Sequence, residues 1–264
     1  MNPFKSVFLA ASCLALLAAC KKDEKITPVT PTHNDTTHQQ APDTATAKVA
    51  FQFNAMVQAQ VLKMDSTWYV NAAGDSITVS KFNYYISNIK FTRNDGYVYA
   101  EHESYRINRH SNSPCTFTVS GVPEGTYYKV EFSIGVDSVR NSSGAQVGAL
   151  DISQGMYWDW ATGYVFFKLE GKFKSNHFPN PTDYVMHVGT TPNYQTCQFN
   201  LGPNTINAVK KKQSLIVYSV HVDEIFANPV TLDMNTYHAV SGGPLAGTIA
   251  RNYKDMFNVT QVVN

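Results

Sequence analysis

Ser76-Ile77-Thr78-Val79-Ser80-Lys81-Phe82-Asn83-Tyr84-Tyr85-Ile86-Ser87-Asn88-Ile89-Lys90-Phe91-Thr92 is rich in β-branched and aromatic side chains, the types that suit a pleated, half-buried surface. Asn94-Asp95-Gly96 follows as a turn, and Tyr97-Val98-Tyr99 resumes β character, so the unit reads as a hairpin. The same grammar recurs outward in both directions. Val49-Ala50-Phe51-Gln52-Phe53 alternates, and residues 67–70 are β-prone. Residues 116–119 and 127–134 flank the turn Gly121-Val122-Pro123-Glu124-Gly125. Residues 184–188, 198–201 and 214–222 complete the set. Many short strands separated by Gly, Pro, Asn and Asp predict an all-β fold, an antiparallel β-sandwich in a single domain. Short helical turns are expected only near residues 150–155 and 250–257.

The 264 residues are 43% apolar, with 15 Tyr, 15 Phe and 3 Trp. That is ample for a core and excludes wholesale disorder. The formal charge is +1, and the longest basic run is Lys210-Lys211-Lys212. Nucleic acid is excluded as a partner, because such binders carry a basic excess or stripe.

The N-terminal region is set apart by composition. Lys5 precedes a thirteen-residue apolar run, residues 7–19, too short to span a bilayer but suited to a signal-peptide core. It ends Leu17-Ala18-Ala19-Cys20, which resembles a bacterial lipobox. Residues 1–19 are therefore expected to be cleaved and Cys20 acylated, anchoring the chain to a membrane through hydrocarbon at about 0.8 kcal/mol per buried CH₂. Lys21-Lys22-Asp23-Glu24 resembles the export signal of Bacteroidetes-type lipoproteins. An outer-membrane lipoprotein exposed at the cell surface is expected, with a periplasm-facing orientation as the alternative. Residues 20–48 are rich in Thr, Pro, His, Asp and Gln, with His33 and His38 among them. They read as a flexible tether reaching roughly 30 Å as a coil, followed by the folded domain over 49–264. With Cys13 removed and Cys20 acylated, Cys115 and Cys197 remain, and an even pair in an oxidising compartment predicts one disulfide.

Three blocks carry a resemblance to a known family. The first is Tyr69-Val70-Asn71-Ala72-Ala73-Gly74-Asp75 followed by the Phe82 to Phe91 run. The second is Val122-Pro123-Glu124-Gly125-Thr126-Tyr127, then Phe132-Ser133-Ile134-Gly135-Val136-Asp137. The third and most specific is Gly155-Met156-Tyr157-Trp158-Asp159-Trp160-Ala161-Thr162-Gly163-Tyr164, running on to Lys168-Leu169-Glu170-Gly171, with His187-Val188-Gly189 beyond. Together these resemble the copper-binding MbnP family of exported proteins, over roughly residues 49–260. The resemblance implies a β-sandwich, a periplasmic or surface location, a copper ion held with His side chains, and a di-haem partner resembling cytochrome c peroxidases that oxidises a Trp to kynurenine. Imidazole suits copper, and a soft neighbour favours Cu(I). His187 and His238 match family-like positions and are the candidate copper ligands, with Met156 as a soft third. Trp158 or Trp160 is the candidate oxidised residue; on one strand, their spacing would put both on one face. Bacteroidetes relatives often carry Phe-x-His after the first strand, where this chain has Phe53-Asn54-Ala55.

The remaining polar residues have plainer expectations. His102, His110 and His177 lie in polar stretches and are expected in solvent. His221 should share a strand face with Leu215, Val217 and Ser219. Lys168 and Glu170 should form a structural pair. Asp137 is the residue a loop calcium would use, although no EF-hand spacing accompanies it. Asp223-Glu224, if on a strand, point to opposite faces. No Gly-x-Ser-x-Gly, His-Glu-x-x-His, Cys-x-x-Cys, P-loop or Gly-x-Gly-x-x-Gly occurs, so an enzyme is not expected. Two functions remain: copper sequestration or acquisition by an anchored lipoprotein, and metal-free binding of a glycan or protein through exposed aromatics.

Overall fold

In the computed structural model, which describes residues 46–111 and 113–264, strands account for most of the ordered elements. The expected signal peptide, Cys20 and nearly all of the tether, His33 and His38 included, lie outside the described residues. The strands are β1 Thr46–Val57, β2 Gln60–Val61, β3 Tyr69–Val70, β4 Ser76–Ile77, β5 Lys81–Arg93, β6 Val98–Ala100, β7 Tyr105–Arg109, β8 Cys115–Pro123 and β9 Gly125–Ile134. After them come β10 Tyr157–Asp159, β11 Gly163–Lys174, β12 Thr182–Gly189, β13 Gln195–Asn200, β14 Ile206–Ala208, β15 Gln213–His221, β16 Ala239–Ser241 and β17 Phe257–Val263. The helices are α1 Ser138–Asn141, α2 Val222–Ile225, α3 Met234–Tyr237 and α4 Gly243–Tyr253. The first strand starts three residues before the expected domain boundary, so residues 46–48 belong to the fold and not to the tether.

Two sheets form among the described residues, as the sandwich expectation requires. The smaller runs β17-β15-β1-β2, with β8 also on β1, and the larger has the backbone β13-β9-β5-β11-β12-β16. Most pairs are antiparallel, but β1 pairs with β15 in parallel, as does β12 with β16. Both are joined by long connections, which parallel pairing needs. The helical turns fall at residues 148–150 and 152–154, near the first expected place. The C-terminal helix spans Gly243–Tyr253, earlier than expected.

Strand β5 shows why the sequence folds this way. Phe82, Tyr84 and Ile86 point into the main core between the sheets, while Tyr85 points outward into a second, smaller core with Val136, Leu150, Met156, Tyr164, Val165 and Phe166. Where a strand is covered on both faces its sequence reads as an unbroken apolar run, as Tyr84-Tyr85-Ile86 does here. The register then slips between Ser87 and Lys90, where Asn88 takes φ 53°, a left-handed conformation Asn tolerates well. The bulge resets the alternation, so Ile89 and Phe91 return to the main core. That core is aromatic. Phe53 stacks on Tyr218 with centroids 5.0 Å apart, and Phe132 meets Phe257 edge-on at 5.1 Å. Each such pair adds about 0.5–1.5 kcal/mol beyond the area it buries.

Candidate functional site

The Met-Tyr-Trp-Asp-Trp block becomes the hairpin β10–β11. Met156 is buried in the second core, and its carbonyl accepts the Val165 N–H at 3.0 Å. Tyr157 packs edge-on against Tyr164, centroids 5.1 Å apart. Trp158 is half-buried, and its ring lies against Gly189. A Cβ built there would stand 2.5 Å from the ring and 2.4 Å from the Tyr164 carbonyl, so only glycine fits beneath this indole.

The strand stops at Asp159 for a local reason. Its carboxylate accepts from Ala161 N, Thr162 N and Thr162 Oγ1, each at 2.8 Å, an Asx turn that outcompetes the ladder. Those three donors also hold the Asp159 carboxyl below its ordinary range, the Thr162 amide most of all. Trp160 sits in the turn with 84% of its surface exposed. The two indoles therefore do not share a strand face as their spacing suggested, because the strand ends between them. Trp158 is packed and Trp160 is presented.

The adjoining segment 137–154 covers the second core and exposes Val139, Val147 and Ile152. Asn141 Oδ1 accepts the Tyr164 N–H at 2.9 Å and ties this segment to the hairpin. Asp137 caps α1 and accepts from Asn88 and the Tyr105 hydroxyl, which commits the carboxylate that calcium would have used.

His187 sits on the outward face of β12, with Nε2 2.8 Å from Glu170 Oε1. Glu170 is also paired with Lys81 Nζ at 2.9 Å. Burial lowers the His187 pKa against the pull of Glu170. Burial pushes Glu170 up, but Lys81 and His187 outweigh it and hold the carboxyl below its ordinary range. Lys168 is not the partner of Glu170 that the sequence suggested. Its ammonium donates to the Gly155 carbonyl at 2.8 Å.

His238 lies on the other side. Its Nδ1 bonds the Met234 carbonyl at 3.0 Å, and its ring stacks on Phe173, a core residue, and meets Phe178. Strand parity separates the two imidazoles: Glu170, beside His187, and Phe173, beneath His238, are three residues apart on β11 and face opposite ways. Met156 is enclosed in the second core. The set His187, His238 and Met156 does not converge, and among the described residues no group of three or more His, Cys, Asp or Glu side chains gathers as for a metal. As a set, these residues do not fit a copper ion.

Two further expectations change. His110 is buried, not exposed: it stacks on Phe82 at 4.6 Å, and its Nε2 lies 2.9 Å from the Tyr84 hydroxyl. Phe82-x-Tyr84 on a core face, searching for a polar partner, was the available signal. Asn112 beside it lies outside the described residues. Cys115 and Cys197 are free thiols and form no disulfide. Cys115 belongs to the small sheet and contacts the Arg109 carbonyl at 3.1 Å; Cys197 belongs to the large sheet and contacts the Lys254 carbonyl at 3.5 Å. Burial pushes their pKa values up to about 11 and about 12. Asp223 and Glu224 fall in α2, where strand alternation does not apply.

The chain belongs to the MbnP family: the family model described as MbnP matches residues 46–241. Among solved structures it is similar to "MbnP from Methylosinus trichosporium", at 14% identity with a TM-score of 0.52, over 75% of this chain and 82% of that one. At that identity the likeness speaks for the fold. No curated protein matches.

Proposed function

We propose that this MbnP-family chain is a non-enzymatic binding protein, anchored through acylated Cys20 to the outer membrane and facing the cell exterior, that meets a protein partner through the turn bearing Trp160. The carrying observation is the 84% exposure of Trp160 on a turn held by three hydrogen bonds to Asp159. An exposed indole on an ordered turn recovers its apolar area on docking without the ordering cost of a loop. Such anchors commonly contribute 2 kcal/mol or more, on the order of a thirtyfold change in affinity. Val139, Val147 and Ile152 are exposed on the segment that Asn141 ties to this hairpin.

Copper is the second reading, supported by family membership. In it the di-haem partner resembling cytochrome c peroxidases oxidises Trp160, the accessible indole, rather than Trp158, packed on Gly189. The copper ligands are then other than His187, His238 and Met156 as a set.

The experiment is metal analysis with intact mass on the full chain from its native host, with Trp160→Ala alongside. One copper per chain, with a kynurenine mass change on the 156–168 peptide, supports the copper reading. An unmodified, copper-free chain that loses a co-purifying membrane protein on Trp160→Ala supports the first. Identical co-purification by both forms refutes docking through Trp160. Protease digestion of intact cells tests orientation, since a surface domain is shaved and a periplasm-facing one survives.

A further inference from the structure

We propose that the end of β15 is a site for a single divalent zinc-type cation, held by His221 Nδ1 and Asp223 Oδ1. The last residue of β15 is His221, and the chain turns at once into α2, which brings the imidazole and the Asp223 carboxylate together. Two residues back on the same face, Ser219 Oγ lies 2.9 Å from His221 Nε2. That contact occupies one ring nitrogen and orients the ring, as outer-shell partners of metal-bound histidines do. The other nitrogen, Nδ1, lies 3.9 Å from Asp223 Oδ1, beyond hydrogen-bond reach.

Asp223 Oδ1 is buried and has no hydrogen-bond partner. A desolvated carboxylate oxygen left unpaired is costly, and burial of such charge is ordinarily accompanied by a partner or a metal. The spacing suits a cation. Zinc sits about 2.1 Å from both imidazole nitrogen and carboxylate oxygen, so donors 3.9 Å apart subtend roughly 135° at the ion, and closing by about half an ångström reaches the tetrahedral angle. Met56 stands opposite His221 across the parallel β1–β15 pair and is half-buried beside it, so the remaining positions of the ion would fall to water.

The order Ser219, His221, Asp223 also resembles a nucleophile, base and acid. Ser219 is buried in mid-strand, and the His–Asp contact that would orient the base is not made, so a cation accounts for the geometry better than acyl transfer.

The test is titration of zinc chloride alone into the full chain, by calorimetry and by NMR of the imidazole nitrogens. One ion per chain is expected, with the His221 ring resonances shifted, and uptake at least tenfold weaker in His221→Gln and in Asp223→Asn. The near-isosteric Asp223→Asn keeps the turn, and the ring shift in the unaltered chain does not depend on any variant folding. A His33→Gln/His38→Gln control keeps the uptake if the site is at β15. Absence of uptake, an unshifted His221 ring, or unchanged affinity in His221→Gln overturns the proposal. Trp160→Ala leaves uptake unchanged, so this result stands apart from the docking proposal.

Discussion

Lowering the pH from 7 to 5 will destabilise this protein through His110, and replacing that residue will remove the effect. The imidazole is 6% exposed. It stacks nearly parallel on Phe82, at 17°, and meets the Tyr84 hydroxyl through Nε2. Asn108 Nδ2 donates to the same hydroxyl at 3.2 Å, leaving Tyr84 to donate to Nε2, which assigns the ring proton to Nδ1. That atom is buried without a partner, so nothing is positioned to stabilise an imidazolium. Burial accordingly drives the pKa from 6.5 to about 3.

The sign follows from proton binding. Below 6.5 the unfolded chain takes up a proton that the folded chain refuses, so stability is present above that value and is lost progressively as pH falls towards 3. Between pH 7 and 5 the loss is about 2 kcal/mol, a large share of the 5–15 kcal/mol typical of a domain. The perturbation is His110→Phe, which keeps an aromatic ring on Phe82 and removes both the titration and the orphaned Nδ1. Tyr84 keeps Asn108 but loses its acceptor, a cost of about 1–3 kcal/mol independent of pH in this range. Urea unfolding at pH 7, 6 and 5, with m-values checked for constancy, should show the wild type falling by about 2 kcal/mol more than the variant. Carboxylates titrate in both, so the difference isolates His110. Parallel pH profiles would refute the reasoning.

Three further outcomes follow from the same geometry. Gly189→Ala should destabilise by about 2–3 kcal/mol, because the new methyl meets Tyr164 O and the Trp158 ring; a red shift of Trp158 emission reports the displaced indole. Trp160→Ala should leave stability within about 0.5 kcal/mol while removing the emission most quenched by acrylamide, and a substantial loss of stability would show the indole to be packed. Thiol titration should find two reactive groups in the denatured mature chain, Cys115 and Cys197, once the Cys20 sulfur is blocked by acylation. In the native state Cys115 should react slowly and Cys197 more slowly still, in line with thiols pushed up to about 11 and about 12; one disulfide by mass would contradict the free pair.

The class of fold is legible from local chemistry. Val49 to Phe53, the 76–92 run and the Gly121–Gly125 turn announce antiparallel strands, because side-chain alternation and turn residues act over a few positions. The third block, with two Trp one residue apart, announces the family for the same reason: it is contiguous. What escaped was whatever depends on residues distant in sequence. The parallel β1–β15 pairing joins segments more than 150 residues apart. β11, the strand at the centre of the large sheet, hid inside the family block because burial on both faces erased its alternation. His187 and His238 match family-like positions, yet strand parity and a helix end turn them to opposite sides of β12. Cys115 and Cys197 were paired by arithmetic, yet in the fold each is a free thiol turned to a different backbone carbonyl, that of Arg109 and that of Lys254. His110 sits in a polar stretch, but the fold lays it over Phe82 and buries it. Trp158 and Trp160 were equivalent as sequence and became distinct when three hydrogen bonds to Asp159 ended the strand between them. Spacing along the chain sets what a residue is able to face; only the packed sheets decide what stands opposite, since burial and convergence are properties of neighbours in space.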